Sequence, residues 1–224
     1  MIQISNVSVQ NIARAIYSAR NAMNSWYKSD SDITSNVLGE NDLNLAKKLC
    51  KAGTDHRKFM RMITVYMDIT APLYWWKEFD TYKVGTVANS CSTMHKIADK
   101  RFTPEDFSHE HLLNMANNDA GDALFLNTAN SIRVDGEGLF CLTINVLNYY
   151  RERYIKTKDK RYWRQIIQLL PSSYNQRRTV MLNYEVLANI YKSRRSHKLD
   201  EWRELCAWIE SLPYSELITG EEQK

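Results

Sequence analysis

Asn183 and Arg194 are eleven residues apart in a stretch, residues 177–194, that reads as the best helix in the chain. Val180, Tyr184, Leu187 and Tyr191 fall there at i, i+4, i+7 and i+11. At about 100° per residue the amide and the guanidinium return to nearly one face, roughly 16 Å apart along the axis. With Leu187 and Ile190 between them, they could line a site for an elongated ligand. The plainer reading, which spacing alone favours, makes Asn183 a satisfied buried amide and Arg194 a cation at a helix C-terminus. Asp55-His56-Arg57-Lys58, with Arg61, offers a turn able to hold phosphate, or simply a polar turn with His56 at the surface. Tyr74-Trp75-Trp76 precedes Lys77. Consecutive tryptophans cannot all face one core from one helix or strand, so one ring is expected in a cleft or subunit contact, although core packing is the commoner use. His109-Glu110-His111 has the wrong spacing for a helical metal site, and no metal is expected. There is no GxGxxG, Walker loop, GxSxG or HExxH, and no Cys–His signal for a nucleophile. Hard chemistry on this chain would have to come from a cofactor.

The elements that must position these residues belong to a chain of 224 residues, 44% hydrophobic and 25% charged, which excludes wholesale disorder. No apolar run approaches the roughly 20 residues of a spanning helix. The opening MIQISNVSVQ lacks the pattern of a signal peptide. Cys50, Cys91, Cys141 and Cys206 are scattered without a CxxC, which suits reduced thiols in a cytoplasm. The net charge of +4 is unevenly spread. Residues 1–148 carry 15 Lys/Arg and 16 Asp/Glu, residues 149–203 carry 14 and 5, and the remainder 1 and 5. The middle stretch is either a positive field for a phosphate-bearing partner or a solvated helical face.

Helices are predicted over 8–27 (Ile12, Ile16, Ala19), 42–52 with Gly53 as C-cap, 104–118, 139–156, 160–170, 177–194 and 199–211. Residues 28–41 and 117–138 read as loops. The clearest strand is residues 60–70, where Ile63, Val65, Met67 and Ile69 alternate with polar partners until Pro72. Residues 73–79 read as one or two aromatic helical turns. Residues 82–90 lean to strand, with Gly85 marking a bulge or a close backbone approach. Strands and helices do not alternate regularly, so the fold class is α+β: a helix-rich single domain over 1–224 with a small, mostly antiparallel sheet.

Three segments together resemble the flavin-dependent thymidylate synthases. The first is Gly53-Thr54-Asp55-His56-Arg57-Lys58-Phe59-Met60-Arg61-Met62, a His-containing turn leading into a strand. The second is Tyr74-Trp75-Trp76-Lys77-Glu78-Phe79 with the β-leaning run to Asn89-Ser90, in the place of the family's Gln-x-x-Arg-His-Arg signature and the Ser beyond it. The third is Leu170-Pro171, then Asn183, Leu187, Arg194 and Asp200-Glu201-Trp202-Arg203. His56, Asn183 and Arg194 carry over directly. Arg-His-Arg is replaced by Lys77-Glu78-Phe79, which keeps a positive charge only at the first position.

The resemblance implies that His56, Lys58, Lys77 and Asn183 meet the flavin, and that Tyr74, Ser90 and Arg194 meet the substrate. Arg194 would be catalytic, polarising uracil. It implies FAD as cofactor, NADPH as reductant, methylenetetrahydrofolate as one-carbon donor, and methylation or other 5-substitution of deoxyuridylate. It also implies a homotetramer with sites built across subunits. Two further readings stand beside it. One is a degenerate homologue serving as a nucleotide-binding or interaction module, suggested by the lost Arg-His-Arg. The other is a nucleic-acid binder using Arg151, Arg153, Lys156, Lys158, Lys160 and Arg161, the least favoured of the three.

Overall fold

The computed structural model describes residues 2–113, 124–126 and 132–220. In chain order the elements are β1 (Gln3–Gln10), α1 (Ile12–Ala19), α2 (Glu40–Lys51), β2 (Thr64–Pro72), α3 (Leu73–Phe79), β3 (Val87–Ser90), β4 (Leu124–Leu126) and β5 (Ile132–Val134). They continue with α4 (Gly136–Thr157), α5 (Lys160–Leu169), β6 (Asn175–Asn183), α6 (Tyr184–Arg194), α7 (Asp200–Glu210) and α8 (Glu216–Thr219). Two compact units emerge: Met1–Thr70 with Trp75–Ser90 and Arg177–Lys224, and Ala71–Tyr74 with Cys91–Gln176.

The first unit holds a four-stranded antiparallel sheet of order β1-β2-β6-β3. β2 keeps the alternation read from the sequence, with Val65, Met67, Ile69 and Ala71 buried and Tyr66 exposed. Asp68 projects from the other face and joins three strands. It accepts hydrogen bonds from Thr179 Oγ1 at 2.5 Å, Asn6 Nδ2 at 2.7 Å and Arg177 Nη2 at 2.6 Å. These donors, Thr179 foremost, hold its carboxyl well below the usual range. Asn6 reaches it from an irregularity in β1, where the register shifts between Ser5 and Ser8 and Asn6 takes φ 51°.

The N-terminal segment differs from the helix expected over 8–27. Its first part pairs with β2 as an edge strand, and Asn11, at φ 67°, turns the chain into α1. The helix is therefore short, and it buries Ile12, Ala13, Ala15 and Ile16. The largest revision falls on residues 177–194. Val180 and Leu182 are buried at strand spacing, and β3 pairs with this run from Val87↔Met181 to Ser90↔Arg178. The helical spacing of Val180 with Tyr184 is accidental; helix begins only at Tyr184. Both tryptophans of α3 are fully buried, so core packing, the commoner use, applies to both rings rather than a cleft or subunit contact for one. Trp75 packs between Trp76, Phe79 and Trp202, with ring centroids 4.9–5.0 Å apart. Trp76 packs edge-on to Phe79 and is covered by the Arg178 guanidinium, 4.2 Å from its ring centroid.

A buried ion pair anchors α2, which leads into the His56 turn. Arg20 donates through Nε to Asp42 Oδ1 at 2.6 Å, and Ser29 and Ser31 each donate to Oδ2 at 2.6 Å. Asp42 is fully buried and Arg20 nearly so. Every oxygen of this carboxylate is thus satisfied, which is the condition for tolerating a charge there.

In the second unit, α4 and α5 enclose a core of Ile97, Phe102, Phe107, Phe140, Ile144, Leu147 and Ile166. Asn148 is buried and closes both backbone groups of Phe102, at 2.9 Å each. Asp135 and Asp159 cap the two helices through Gly138 N–H and Arg161 N–H. The helix expected over 104–118 is only a 3-10 turn, Pro104–Asp106, with a Thr103/Asp106 capping box; residues 107–113 are not helical, and 114–118 lie outside the described residues. Within the expected 117–138 loop, β4 and β5 form a short antiparallel pair. No helix among the described residues is long and apolar enough to cross a membrane.

Candidate functional site

α6 carries Asn183 and Arg194 at its two ends. Asn183 is the N-cap: its Oδ1 accepts from Val186 N–H at 3.0 Å, and it is buried. Gly85 lies against it. A Cβ at Gly85 would stand 2.8 Å from Asn183 Nδ2, and Gly85 has φ +79°, so this position suits glycine twice over. This is the close approach anticipated in the sequence.

Arg194 is held on several sides. Its Nε donates to Tyr82 Oη at 2.9 Å and its Nη1 to Glu78 Oε2 at 2.8 Å. Its guanidinium carbon lies 4.6 Å from the Trp202 ring and 5.7 Å from the Tyr82 ring. Trp202 Nε1 donates to the same Glu78 oxygen at 2.9 Å, and His197 Nε2 stands 3.5 Å from it. The side chains of Glu78 and Arg194 are 36% and 19% exposed. The result is a planar cation set in an aromatic frame, on a side chain that is only partly exposed. Sequence reasoning named Arg194 and noted Glu78 only as a departure. It missed Tyr82, His197 and Trp202 as a framework, because three separate segments supply them.

On the side of α6 turned away from Arg194 opens a cavity of about 500 Å³. It is lined by the end of α2, the turn before His56, the middle of α6 and α8. Among the described residues, five cationic ones, Lys47, Lys51, Arg57, Lys192 and Arg195, line it with one carboxylate, that of Glu216. Arg57 pairs with Glu185 at 2.9 Å, yet among the described residues its buried Nε has no hydrogen-bond partner, and neither does buried Glu216 Oε2. The spare Arg57 donor and the positive lining suit an anionic ligand of nucleotide size, whereas the spare Glu216 oxygen suits a donor on such a ligand. Cys50 also lines the cavity; burial raises its thiol to about 11, so it is no ready nucleophile.

The other expected site residues are placed as follows. His56 lies exposed in a turn closed on Gly53 O, and Lys58 begins the 3-10 turn Lys58–Met62, also exposed. Lys77 is exposed on α3, and Ser90 is exposed at the end of β3. Among the described residues no hydrogen bond or ion pair joins any of these four to Asn183 or Arg194. Tyr74 belongs to the second unit, where its hydroxyl meets Ser108 Oγ at 3.2 Å. The basic stretch 149–203 divides likewise: seven of its 14 cations precede Arg177 and belong to the second unit, and seven belong to the first.

No family model matches the sequence, and no curated protein does. Solved structures do match. A flavin-dependent thymidylate synthase, ThyX from Helicobacter pylori complexed with FAD and dUMP, aligns over 98% of both chains with TM-score 0.65 and 16% identity. A second structure of ThyX from that organism, also with FAD and dUMP, aligns over 98% of this chain and 97% of its own, with TM-score 0.64 and 16% identity. This chain has the flavin-dependent thymidylate synthase fold. A UMP/dUMP methylase, PolB from Streptomyces cacaoi, bound with 5-Br dUMP, matches over 98% of this chain and 94% of its own, at TM-score 0.59 and 15% identity. The flavin-dependent thymidylate synthase fold is thus matched over 98% of the chain, at a level of identity that leaves individual side chains free to differ.

Proposed function

We propose that the protein is a flavin-dependent enzyme that substitutes C5 of a pyrimidine nucleotide, with deoxyuridylate as the reference substrate. The observation that carries this reading is the fold correspondence over 98% of the chain with proteins that bind FAD and dUMP. FAD fits what this chain offers. The cavity beside the His56 turn supplies counter-charge for phosphates through Lys51, Arg57 and Lys192, and unsatisfied Arg57 Nε supplies a donor. His56, Lys58, Asn183 and Lys77 would hold the remainder of the cofactor. When bound, FAD would supply the redox equivalents for reducing the transferred one-carbon unit, drawn from methylenetetrahydrofolate, with NADPH as the external reductant.

The protein's own contribution is orientation and electrostatics. Arg194, fixed between Tyr82 and Trp202, would hold the base and stabilise negative charge developing on it. Ser90 would add to the nucleotide site, and Tyr74 would meet the substrate in a homotetramer whose sites draw on several subunits. Cys50, Cys91, Cys141 and Cys206 are all free, which suits a cytoplasmic protein.

A second reading is favoured by one observation. Glu78 already engages Arg194, and Glu185 engages Arg57, so two cations are partly neutralised within the chain. A degenerate, non-catalytic nucleotide-binding module would tolerate this. Turnover of tritiated 5-³H-dUMP by the FAD-loaded protein separates the two: tritium release supports the enzyme, and FAD and dUMP binding without release supports the module.

A further inference from the structure

The cavity on the side of α6 turned away from Arg194 carries one group that works against a simple anion site. Glu216 of α8 shares its lining with Lys51, Arg57 and Lys192. Its charge repels any phosphate those cations attract. As a counter-charge it would serve Lys47, whose Nζ lies 3.7 Å from Glu216 Oε1. That distance is beyond hydrogen-bond range, and the Lys47 side chain is 31% exposed, so the pair contributes little. It also leaves the other oxygen untouched. Glu216 Oε2 is buried and has no hydrogen-bond partner among the described residues. A buried acceptor in that state bears its full desolvation penalty, which a ligand bringing a donor would relieve.

The surroundings of that oxygen restrict what the donor belongs to. Lys51 lies one helical turn beyond Lys47 on α2, so the carboxylate stands beside cations suited to phosphate. Arg57 adds a buried Nε that has no partner among the described residues. Ionised phosphate oxygens only accept hydrogen bonds, so they answer Arg57 and the lysines but not Glu216. The donor must come from a group that the phosphate carries, and a cavity of about 500 Å³ has room for one. In nucleotides and flavins the donors nearest to phosphate are sugar hydroxyls, on the ribose of an adenosine or on the ribityl chain of a flavin.

We propose that Glu216 is a ligand-specificity residue that accepts a sugar hydroxyl, so that the cavity takes a sugar phosphate in preference to a donor-free anion. The proposal rests on the reading of this cavity as the phosphate site of FAD, and adds what that phosphate must carry. It predicts effects of opposite sign. Removing the carboxylate takes away a like charge, which strengthens any anion that does not use it. The same change weakens a ligand whose hydroxyl it holds. A carboxylate that served only as counter-charge to Lys47 would give the first effect for every anion.

The experiment is calorimetric titration of the full-length protein with FAD, FMN, ADP, 2′,3′-dideoxy-ADP and sulfate, for the wild type, Glu216→Leu and Glu216→Ala, with folding checked by circular dichroism. Sulfate is fully ionised and has no donor. Both variants should bind sulfate more tightly and FAD more weakly, by about tenfold or more, as expected for a lost hydrogen bond to a charged group. The two halves of FAD locate the hydroxyl. A wild-type preference for ADP over dideoxy-ADP of about tenfold, which needs no variant, places it on the adenosine ribose. An FMN affinity that falls in the variants places it on the ribityl chain. Folded variants that bind FAD as tightly as the wild type, or more tightly, overturn the proposal and leave the flavin reading intact. Equal binding of ADP and dideoxy-ADP, together with FMN binding that ignores Glu216, also overturns it. If the folded wild type binds neither FAD nor either half, the phosphate reading of the cavity fails together with it.

Discussion

Trp202 joins the hydrophobic core to Arg194, and its removal should be felt in both. The indole is fully buried, 4.9 Å from Trp75 and 6.3 Å from Phe79, and one face lies against the Arg194 guanidinium. Trp202→Ala deletes the ring contacts of α7 with Trp75 and Phe79 of α3 and leaves a cavity, at a cost of about 3–5 kcal/mol. In a chain of this size each kcal/mol lowers the melting temperature by about 2–4 °C, so a fall of roughly 6–20 °C is expected. Trp202→Phe keeps an aromatic ring and loses mainly the N–H donated to Glu78. Glu78 is 36% exposed, so water can replace that donor, and the cost drops to about 1–2 kcal/mol. Thermal denaturation followed by circular dichroism measures both variants. A Trp202→Ala loss no larger than that of Trp202→Phe would refute the reasoning, because burial would then not be what holds α7 in place.

Four further outcomes are expected. Asp42→Asn should cost about 3–5 kcal/mol at pH 7 by leaving Arg20 buried without its counter-charge. Burial raises the Asp42 pKa, but donors Ser29, Ser31 and Arg20 outweigh it and leave the carboxyl below its ordinary value. The stabilisation is therefore present above an unfolded pKa of about 3.9 and is lost as pH falls through the lower folded value, so urea titrations should show wild type and variant converging in acid. Gly85→Ala should cost about 1–2 kcal/mol from the left-handed backbone alone, and more because its Cβ would displace the Asn183 amide, as measured by chemical denaturation. Asn183→Ala should lose about 0.5–2 kcal/mol as an α6 cap and weaken FAD binding, with Asn183→Ser recovering the stability. His56→Ala and Lys58→Ala, both at exposed positions, should leave stability within about 0.5 kcal/mol of wild type while lowering FAD affinity in a fluorescence titration.

The sequence was most legible where one periodicity had no rival. The period of two through Val65, Met67 and Ile69 identified the central strand, and α2, α3, α5 and α7 were found close to their observed bounds. It misled where two periods coexist. Residues 175–183 alternate as a strand, but Val180 also falls one helical turn before Tyr184, and the stronger helix that follows absorbed it. In the edge strand β1 the register shift between Ser5 and Ser8 interrupts any period of two, so pairing with β2 rather than its own pattern defines it. In the site, Arg194 and Asn183 were legible as a spacing. The Glu78–Tyr82–Trp202 frame was not, because it depends on the return of α7 against α3. Two adjacent tryptophans could both be buried because Arg178 covers Trp76 while Phe79 and Trp202 enclose Trp75.

The central claim is that this fold still serves a flavin and a pyrimidine nucleotide. Titrating the full-length protein with FAD, with and without dUMP, and following the flavin absorption band tests it most directly. The account predicts saturable binding with a perturbed flavin spectrum, altered again when nucleotide is added and no longer altered by nucleotide in Arg194→Ala. A folded protein that leaves the flavin spectrum unchanged at high micromolar FAD would contradict it.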